Sequence, residues 1–102
     1  MNIAILTPER EIFKGAIKSV KVPGTMGQFQ VLQNHAPIVS SLETGKVEIV
    51  TAQGQYEYFD DQTGNIVTAQ EEGRKITFDI SGGFIEVLKN EVSLLVQSIL
   101  RV

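Results

Sequence analysis

Lys75-Ile76-Thr77-Phe78-Asp79-Ile80-Ser81-Gly82-Gly83-Phe84-Ile85-Glu86-Val87 is the stretch that decides the fold class. Its first half alternates without a break. Ile76, Phe78 and Ile80 fall on one side, and Lys75, Thr77 and Asp79 on the other. A period of two marks a strand with one buried face, because successive side chains of extended backbone point to opposite sides. Ile85 and Val87 flank Glu86 in the same way after the glycine pair. Two glycines between strand patterns mark a bulge, a bend or a close backbone approach. Gly82-Gly83 reads as a sandwich corner, or as a place where another chain's backbone packs; the residues alone favour the corner.

Outward from this stretch the same period recurs. Ser19-Val20-Lys21-Val22 and Lys46-Val47-Glu48-Ile49 alternate, and Ile3, Ile5 and Ile12 belong to strands near the start. Val92, Leu94 and Val96 alternate with Ser93, Leu95 and Gln97, so Leu95 makes that strand apolar on both faces. Such a strand is central or covered by a partner. Turn signals at Glu43-Thr44-Gly45, Gln53-Gly54, Thr63-Gly64-Asn65, Glu72-Gly73-Arg74 and Lys89-Asn90 separate the runs. Turns spaced by about 8 to 12 residues predict a sandwich or flattened barrel. The best helical candidate, Ile38 to Leu42, allows at most one turn. The reading is one all-β domain over residues 1–102.

Composition narrows the function classes. The chain has 102 residues, nine basic and twelve acidic, for a net charge of −3. That balance argues against general nucleic-acid binding, which needs a concentrated basic surface. It also removes any strong pull to anionic lipid. With no cysteine, disulfides and thiolate metal sites are excluded. No apolar run approaches the roughly 20 residues that cross a bilayer as a helix. The opening Met1-Asn2-Ile3-Ala4-Ile5-Leu6-Thr7-Pro8 lacks the basic residues of a signal peptide. Membrane association is therefore expected only through a partner.

A second glycine-marked signature runs Val22-Pro23-Gly24-Thr25-Met26-Gly27-Gln28-Phe29-Gln30-Val31-Leu32-Gln33-Asn34-His35-Ala36-Pro37. It holds no set of residues fit for chemistry. Gly45-Lys46 is followed by Val47 and preceded by Ser40 where a P-loop needs its first glycine. Gly24 and Gly27 lack dinucleotide-fingerprint spacing. Aligning Gly64 with the glycine of a calcium loop puts Phe59 where the first carboxylate belongs. Asp60 and Asp61 read as a solvated turn instead. His35 is the single histidine, and zinc would need several further ligands. A serine paired with His35 is allowed by spacing, yet no nucleophile elbow is present. Asn34, which tolerates unusual φ, and Pro37, which fixes the exit direction, make the Asn-His-Ala-Pro segment a structural or interface turn. No catalytic, metal or cofactor residue is expected.

Taken in order, these segments resemble the epsilon subunit of F-type ATP synthases, in its N-terminal β-sandwich domain. The resemblance rests on Leu6-Thr7-Pro8-Glu9-Arg10-Glu11-Ile12-Phe13-Lys14-Gly15, on Val20 to Phe29, on Asn34-His35-Ala36-Pro37, on Ile80-Ser81-Gly82-Gly83-Phe84-Ile85-Glu86-Val87, and on Asn90 to Val96. Each piece is weak alone; the ordered set is specific. It implies a flattened barrel of about ten strands. It further implies a non-catalytic subunit at the foot of the central stalk, bound to the gamma subunit and resting on the polar loops of the c-ring. Such a subunit couples proton flow to ATP synthesis from the cytoplasmic face of a bacterial inner membrane without entering it. By the same resemblance Gly27, Gln28 and Phe29 face the ring, and Thr7, His35 and Ser40 lie near gamma. Pro23, Gly24, Asn34, Pro37, Gly82 and Gly83 shape the turns.

Three departures from that pattern stand out. Gln30 and Gln33 replace glycine and proline often found in the family. The stretch from about 56 to 75 is longer than usual and predicts an extra or extended hairpin, with Tyr56-Glu57-Tyr58 opposite Ile66-Val67-Thr68 about Gly64. The sequence stops soon after the last expected strand, so the C-terminal helical hairpin that restrains hydrolysis in relatives is expected to be missing. Two rival readings stay open on the residues alone. A stand-alone β-sandwich ligand-binding module, for example for a glycan, would use Tyr56, Tyr58 and Phe59 as an exposed aromatic platform. A small hydrolase would centre on His35.

Overall fold

The computed structural model describes residues 1–60 and 62–101; Asp61, half of the expected acidic turn, and Val102 lie outside them. Ten strands follow one another: β1 (Asn2–Leu6), β2 (Glu11–Gly24), β3 (Gly27–Leu32), β4 (Ile38–Leu42), β5 (Gly45–Asp60), β6 (Asn65–Ala69), β7 (Lys75–Ile80), β8 (Gly83–Leu88), β9 (Glu91–Val96) and β10 (Ile99–Arg101). No helix occurs among the described residues. The expected helical turn at Ile38 to Leu42 is strand β4, paired antiparallel with β8 from Ile38↔Val87 to Leu42↔Gly83. β-Branched Ile38 and Val39 favour extended backbone, and the β8 ladder supplies the hydrogen bonds a five-residue helix could not make for itself.

Most of the architecture comes from two long strands. β2 has 14 residues and β5 has 16, against about 5 to 6 in an ordinary strand. The first half of β2 pairs with β1 and its second half with β3. The first half of β5 pairs with β7 and its second half with β6. Their shared ladder slips at Gly15/Ile17 and again at Ile17/Ser19. Such bulges bend a strand and let it pass from one sheet to the next. One layer is then β4-β8-β9-β1 continued by the ends of β2, β5 and β6; the other is β3-β2-β5-β7-β10. The shortest dimension, 19 Å, suits two sheets about 10 Å apart.

Between the layers lies one cluster of buried side chains, including Ile3 and Ile5, Phe13, Val20 and Val22, Val47 and Ile49, Tyr56, Phe78 and Ile80, Ile85 and Val87, Val92 and Leu94. Every strand with clear alternation contributes its apolar set. The Phe13 and Tyr56 rings stack at 5.4 Å between centroids. Thr51, a polar core residue, is fully bonded: its hydroxyl accepts the Arg74 N–H at 2.9 Å and donates to the Glu71 carbonyl. This pins the β6–β7 connection onto β5.

The β5–β6 hairpin runs from Tyr56↔Ala69 to Asp60↔Asn65 and sets Tyr58 opposite Val67. Its turn is held by Asp60, whose carbonyl accepts from Gly64 N–H at 2.8 Å and whose carboxylate accepts from Gln62 N–H at 3.0 Å. At the Gly82-Gly83 pair, Gly83 begins the β8–β9 ladder opposite Val96. A Cβ there would run into the Leu95 carbonyl oxygen and come within 2.8 Å of Val96 Cα. The close approach at this corner is thus made by the chain's own strand β9.

Candidate functional site

Alternation sends half of each strand to solvent, and on the β4-β8-β9-β1 sheet that half includes four large exposed apolar side chains set among Ser41, Glu86, Glu91 and Ser93. Leu94 enters the core, so Leu95 faces out. Register then sets its neighbours: Leu95 lies between Phe84 on β8 and Leu6 on β1. In the next row Val39 on β4 lies opposite Glu86, and Glu86 opposite Ser93. Val39 is 72% exposed, Phe84 57%, Leu88 50% and Leu95 48%. Phe84, Leu95 and Leu6 form an unbroken apolar row, with Val39 and Leu88 on the far side of Glu86; exposed apolar side chains grouped in this way mark a surface for binding. Leu95 is therefore both central in its sheet and uncovered within the chain.

The outer face of the other sheet is built on the same alternation and is more polar, although Leu32, 54% exposed, and Val50 also stand on it. Gln30, Lys21, Glu48 and Thr77 stand in one row across β3, β2, β5 and β7. The Glu48 carboxylate is 3.6 Å from both the Lys21 and the Lys75 ammonium groups. This face pairs part of its charge internally.

The Val22–Pro37 signature opens with a hairpin rather than an open loop. β2 and β3 pair up to Gly24↔Gly27, leaving Thr25 and Met26 as a two-residue turn. Gly27 takes φ 123°, a conformation that favours glycine. The base is tied to β4 and its exit: Thr25 N–H donates to the Ser41 carbonyl at 3.2 Å, and Glu43 N–H to the Pro23 carbonyl at 2.9 Å. At the tip Met26 is 98% exposed. Gln28 is exposed, whereas Phe29 turns in and packs its ring over Gly24.

The other expected contact residues are spread along the rim of the apolar sheet. Thr7 follows Leu6; its hydroxyl donates to the Arg10 carbonyl at 3.1 Å and accepts the Arg10 N–H at 3.2 Å, closing a turn. His35 sits in the β3–β4 connection after Asn34, which has φ 65°. Its N–H donates to the Leu32 carbonyl at 3.1 Å, and its Nδ1 lies 2.7 Å from the Ala36 carbonyl. Ser40 is on β4 but on the core side with Ile38 and Leu42; its neighbours Val39 and Ser41 present the outer face. β4 thus lies at one side of this layer, Thr7 follows β1 in its interior between β9 and β2, and Gly27 and Gln28 form a separate tip.

The aromatic rival site is not assembled. Tyr56 is buried, Tyr58 packs on the core, and the Arg10 guanidinium lies 4.3 Å above the Phe59 ring. An exposed aromatic platform is therefore missing, which overturns the glycan-type reading in its stated form. The Tyr56 hydroxyl instead accepts a hydrogen bond from Arg74 at 3.3 Å. That bond, and the field of the same phenol, raise the Arg74 pKa above its ordinary value. Among the described residues no three His, Asp or Glu side chains are grouped as metal ligands. Sequence reasoning flagged Leu95 but missed Phe84, Val39 and Met26. For Phe84 the missing information was which side chains lie beside it across the sheet, for Val39 that its segment is a strand, and for Met26 the tightness of the turn.

Comparison with known proteins identifies the family. The β-sandwich domain of the ATP synthase delta/epsilon chain matches residues 1–66. The chain belongs to this family. The ATP synthase epsilon chain of Chlorobaculum tepidum is 35% identical over 98 residues, covering 96% of this chain and 90% of that protein. That of Salinibacter ruber is 32% identical over 99 residues, covering 97% of this chain and 59% of its own length. The delta/epsilon-type chain described here thus spans little more than half of several relatives. Among solved structures, a chain of the Euglena gracilis mitochondrial ATP synthase containing OSCP, F1 and c-ring superposes with a TM-score of 0.68 at 19% identity, covering 97% of this chain and 51% of that one. A chain from the Tetrahymena thermophila central stalk and c-ring gives 0.67 at 16%, covering 99% and 66%. At those identities the likeness establishes the fold: the all-β sandwich of the family, in ten strands.

Proposed function

We propose that this chain is a non-catalytic rotor subunit in the central stalk of a proton-translocating F-type ATP synthase. In this reading it docks on the gamma subunit, meets the polar loops of the c-ring, and is held by that complex at the cytoplasmic face of a bacterial inner membrane. The observation that carries the reading is the uncovered apolar face of Val39, Phe84, Leu88 and Leu95, in a chain whose relatives are ATP synthase epsilon chains. Such a face suits a stable interface, whose centre is apolar and whose rim is polar. Thr7 and His35 belong to that rim, with Ser40 acting through the strand it shares with Val39. Gly27, Gln28 and the Met26 tip form the second contact, toward the ring, with Phe29 bracing them from inside.

Mechanically, a coupling subunit must not yield between its two contacts. β2 and β5 run through both layers, so a load on the β2–β3 tip passes along continuous hydrogen-bonded backbone to the sheet that binds gamma. No bond chemistry is required of it.

The reading is tested by mixing the chain with purified gamma at micromolar concentration. Co-elution as one complex is expected. A Gln28→Cys variant in the assembled synthase should crosslink to the c-ring loops. Separate elution of chain and gamma would remove the proposal.

A further inference from the structure

The connection that carries His35 is held by a contact from a distant part of the sequence. Asn34 and Asn90, 56 residues apart, bond each other reciprocally. The Asn34 backbone N–H donates to Asn90 Oδ1 at 2.7 Å, and Asn90 Nδ2 donates to Asn34 Oδ1 at 3.0 Å. Turned over, the Asn90 amide would set its NH2 group against the Asn34 N–H, so only one orientation satisfies both bonds.

Both asparagines have left-handed backbone, at φ 65° and 63°. Glycine adopts that conformation with less strain, so backbone geometry alone does not call for a side chain at either place. The bond network does. Asn90 is also the better-anchored partner. It is the second of two residues, with Lys89 at φ 51°, that close the β8–β9 hairpin between Leu88 and Glu91. Positive φ at both residues is the tight-hairpin geometry. Its carbonyl also accepts the Asn2 N–H at 3.0 Å. The β3–β4 connection has less to hold it: within the turn, the bond from His35 N–H to the Leu32 carbonyl.

We propose that Asn90 is a positioning residue for the docking surface: an amide clasp that holds the Asn34-His35-Ala36-Pro37 turn in one arrangement beside the apolar face. The proposal rests on the gamma-docking reading. A connection ordered in advance loses less freedom when the partner binds, and affinity gains by that difference. Leu88 precedes the Lys89-Asn90 turn and Val39 follows the His35 turn, so the clasp joins two segments that border the same patch.

Three variants test it, each read by thermal melting, by amide hydrogen exchange at Asn34, and by affinity for gamma. Asn90→Gly keeps the hairpin, because glycine accepts its φ, and removes both bonds. It should leave Tm nearly unchanged, speed exchange at Asn34 about tenfold, and weaken gamma binding about three- to tenfold, as expected for loss of a pair of ordinary hydrogen bonds. Asn90→Asp should restore both readouts, since a carboxylate there accepts the Asn34 N–H and also the flipped Asn34 side-chain amide. Combining Asn34→Asp with Asn90→Asp sets two carboxylates together and should again lose the effect. Unchanged exchange in Asn90→Gly overturns the clasp. Faster exchange with undiminished gamma affinity overturns its docking role. Failure of the unaltered chain to bind gamma defeats the functional reading, and the docking role with it, while the exchange data still decide whether the clasp orders the turn.

Discussion

The two outer faces of this sandwich are made by the same rule and differ in how many large apolar side chains they leave to water. Across β3, β2, β5 and β7 the outward residues include Gln30, Lys21, Glu48 and Thr77, with Glu48 shared by two lysines. Across β4, β8, β9 and β1 they include Val39, Phe84, Leu95 and Leu6. Both sheets bury their inner sides in one core, so folding does not explain the difference. An apolar residue on an outer face adds little to the stability of the isolated chain and carries a cost in water. The proposed docking of one face on gamma accounts for this difference, since it would cover Phe84 and Leu95.

The largest effect should come from breaking the apolar side. Phe84→Asp combined with Leu95→Asp is expected to weaken gamma binding roughly a thousandfold, from two anchors of about 2 kcal/mol each. Melting should shift by only a few degrees, because both side chains already touch water. Calorimetric titration beside a thermal melt checks both halves. Gly83→Ala should invert that pattern. A methyl group there collides with β9 backbone, so the chain should lose about 3 kcal/mol of stability and melt roughly 12 to 20 °C lower.

The polar side should respond weakly. Glu48→Gln removes a carboxylate from between Lys21 and Lys75 and should cost less than about 1 kcal/mol, shrinking further in high salt, as for other solvent-exposed ion pairs. Gamma affinity should not move. Smallest of all, Met26→Ser should change stability by under about 0.5 kcal/mol and leave gamma binding intact. Crosslinking from the hairpin tip to the c-ring should nevertheless fall, and that loss is the readout.

Much of this was legible from residue order. Perfect alternation in Lys75 to Ser81 and the spacing of turns were enough for an all-β sandwich, because burial on one side imposes its period directly on sequence. Ile38 to Leu42 was not legible as a strand. Five residues with two serines carry too little pattern, and β8, which completes the ladder, lies more than forty positions away. The switch of β2 and β5 between sheets was equally hidden, since bulges at Gly15/Ile17 and Ile17/Ser19 are slips of pairing, not of composition. For the site, Leu95 stood out as apolar on the wrong side of its own strand. Phe84 falls on the Glu86 side by the same alternation, but that Leu95 lies opposite it is decided only by the β8–β9 pairing.

The comparison of faces is tested most directly by labelling. The chain has no cysteine, so Leu95→Cys and Thr77→Cys each give a single reactive thiol, one per outer face. Both should react with a maleimide in the free chain. Adding gamma should protect Leu95→Cys and leave Thr77→Cys reactive. Equal labelling of the two in the complex, or protection of Thr77→Cys alone, would contradict the account.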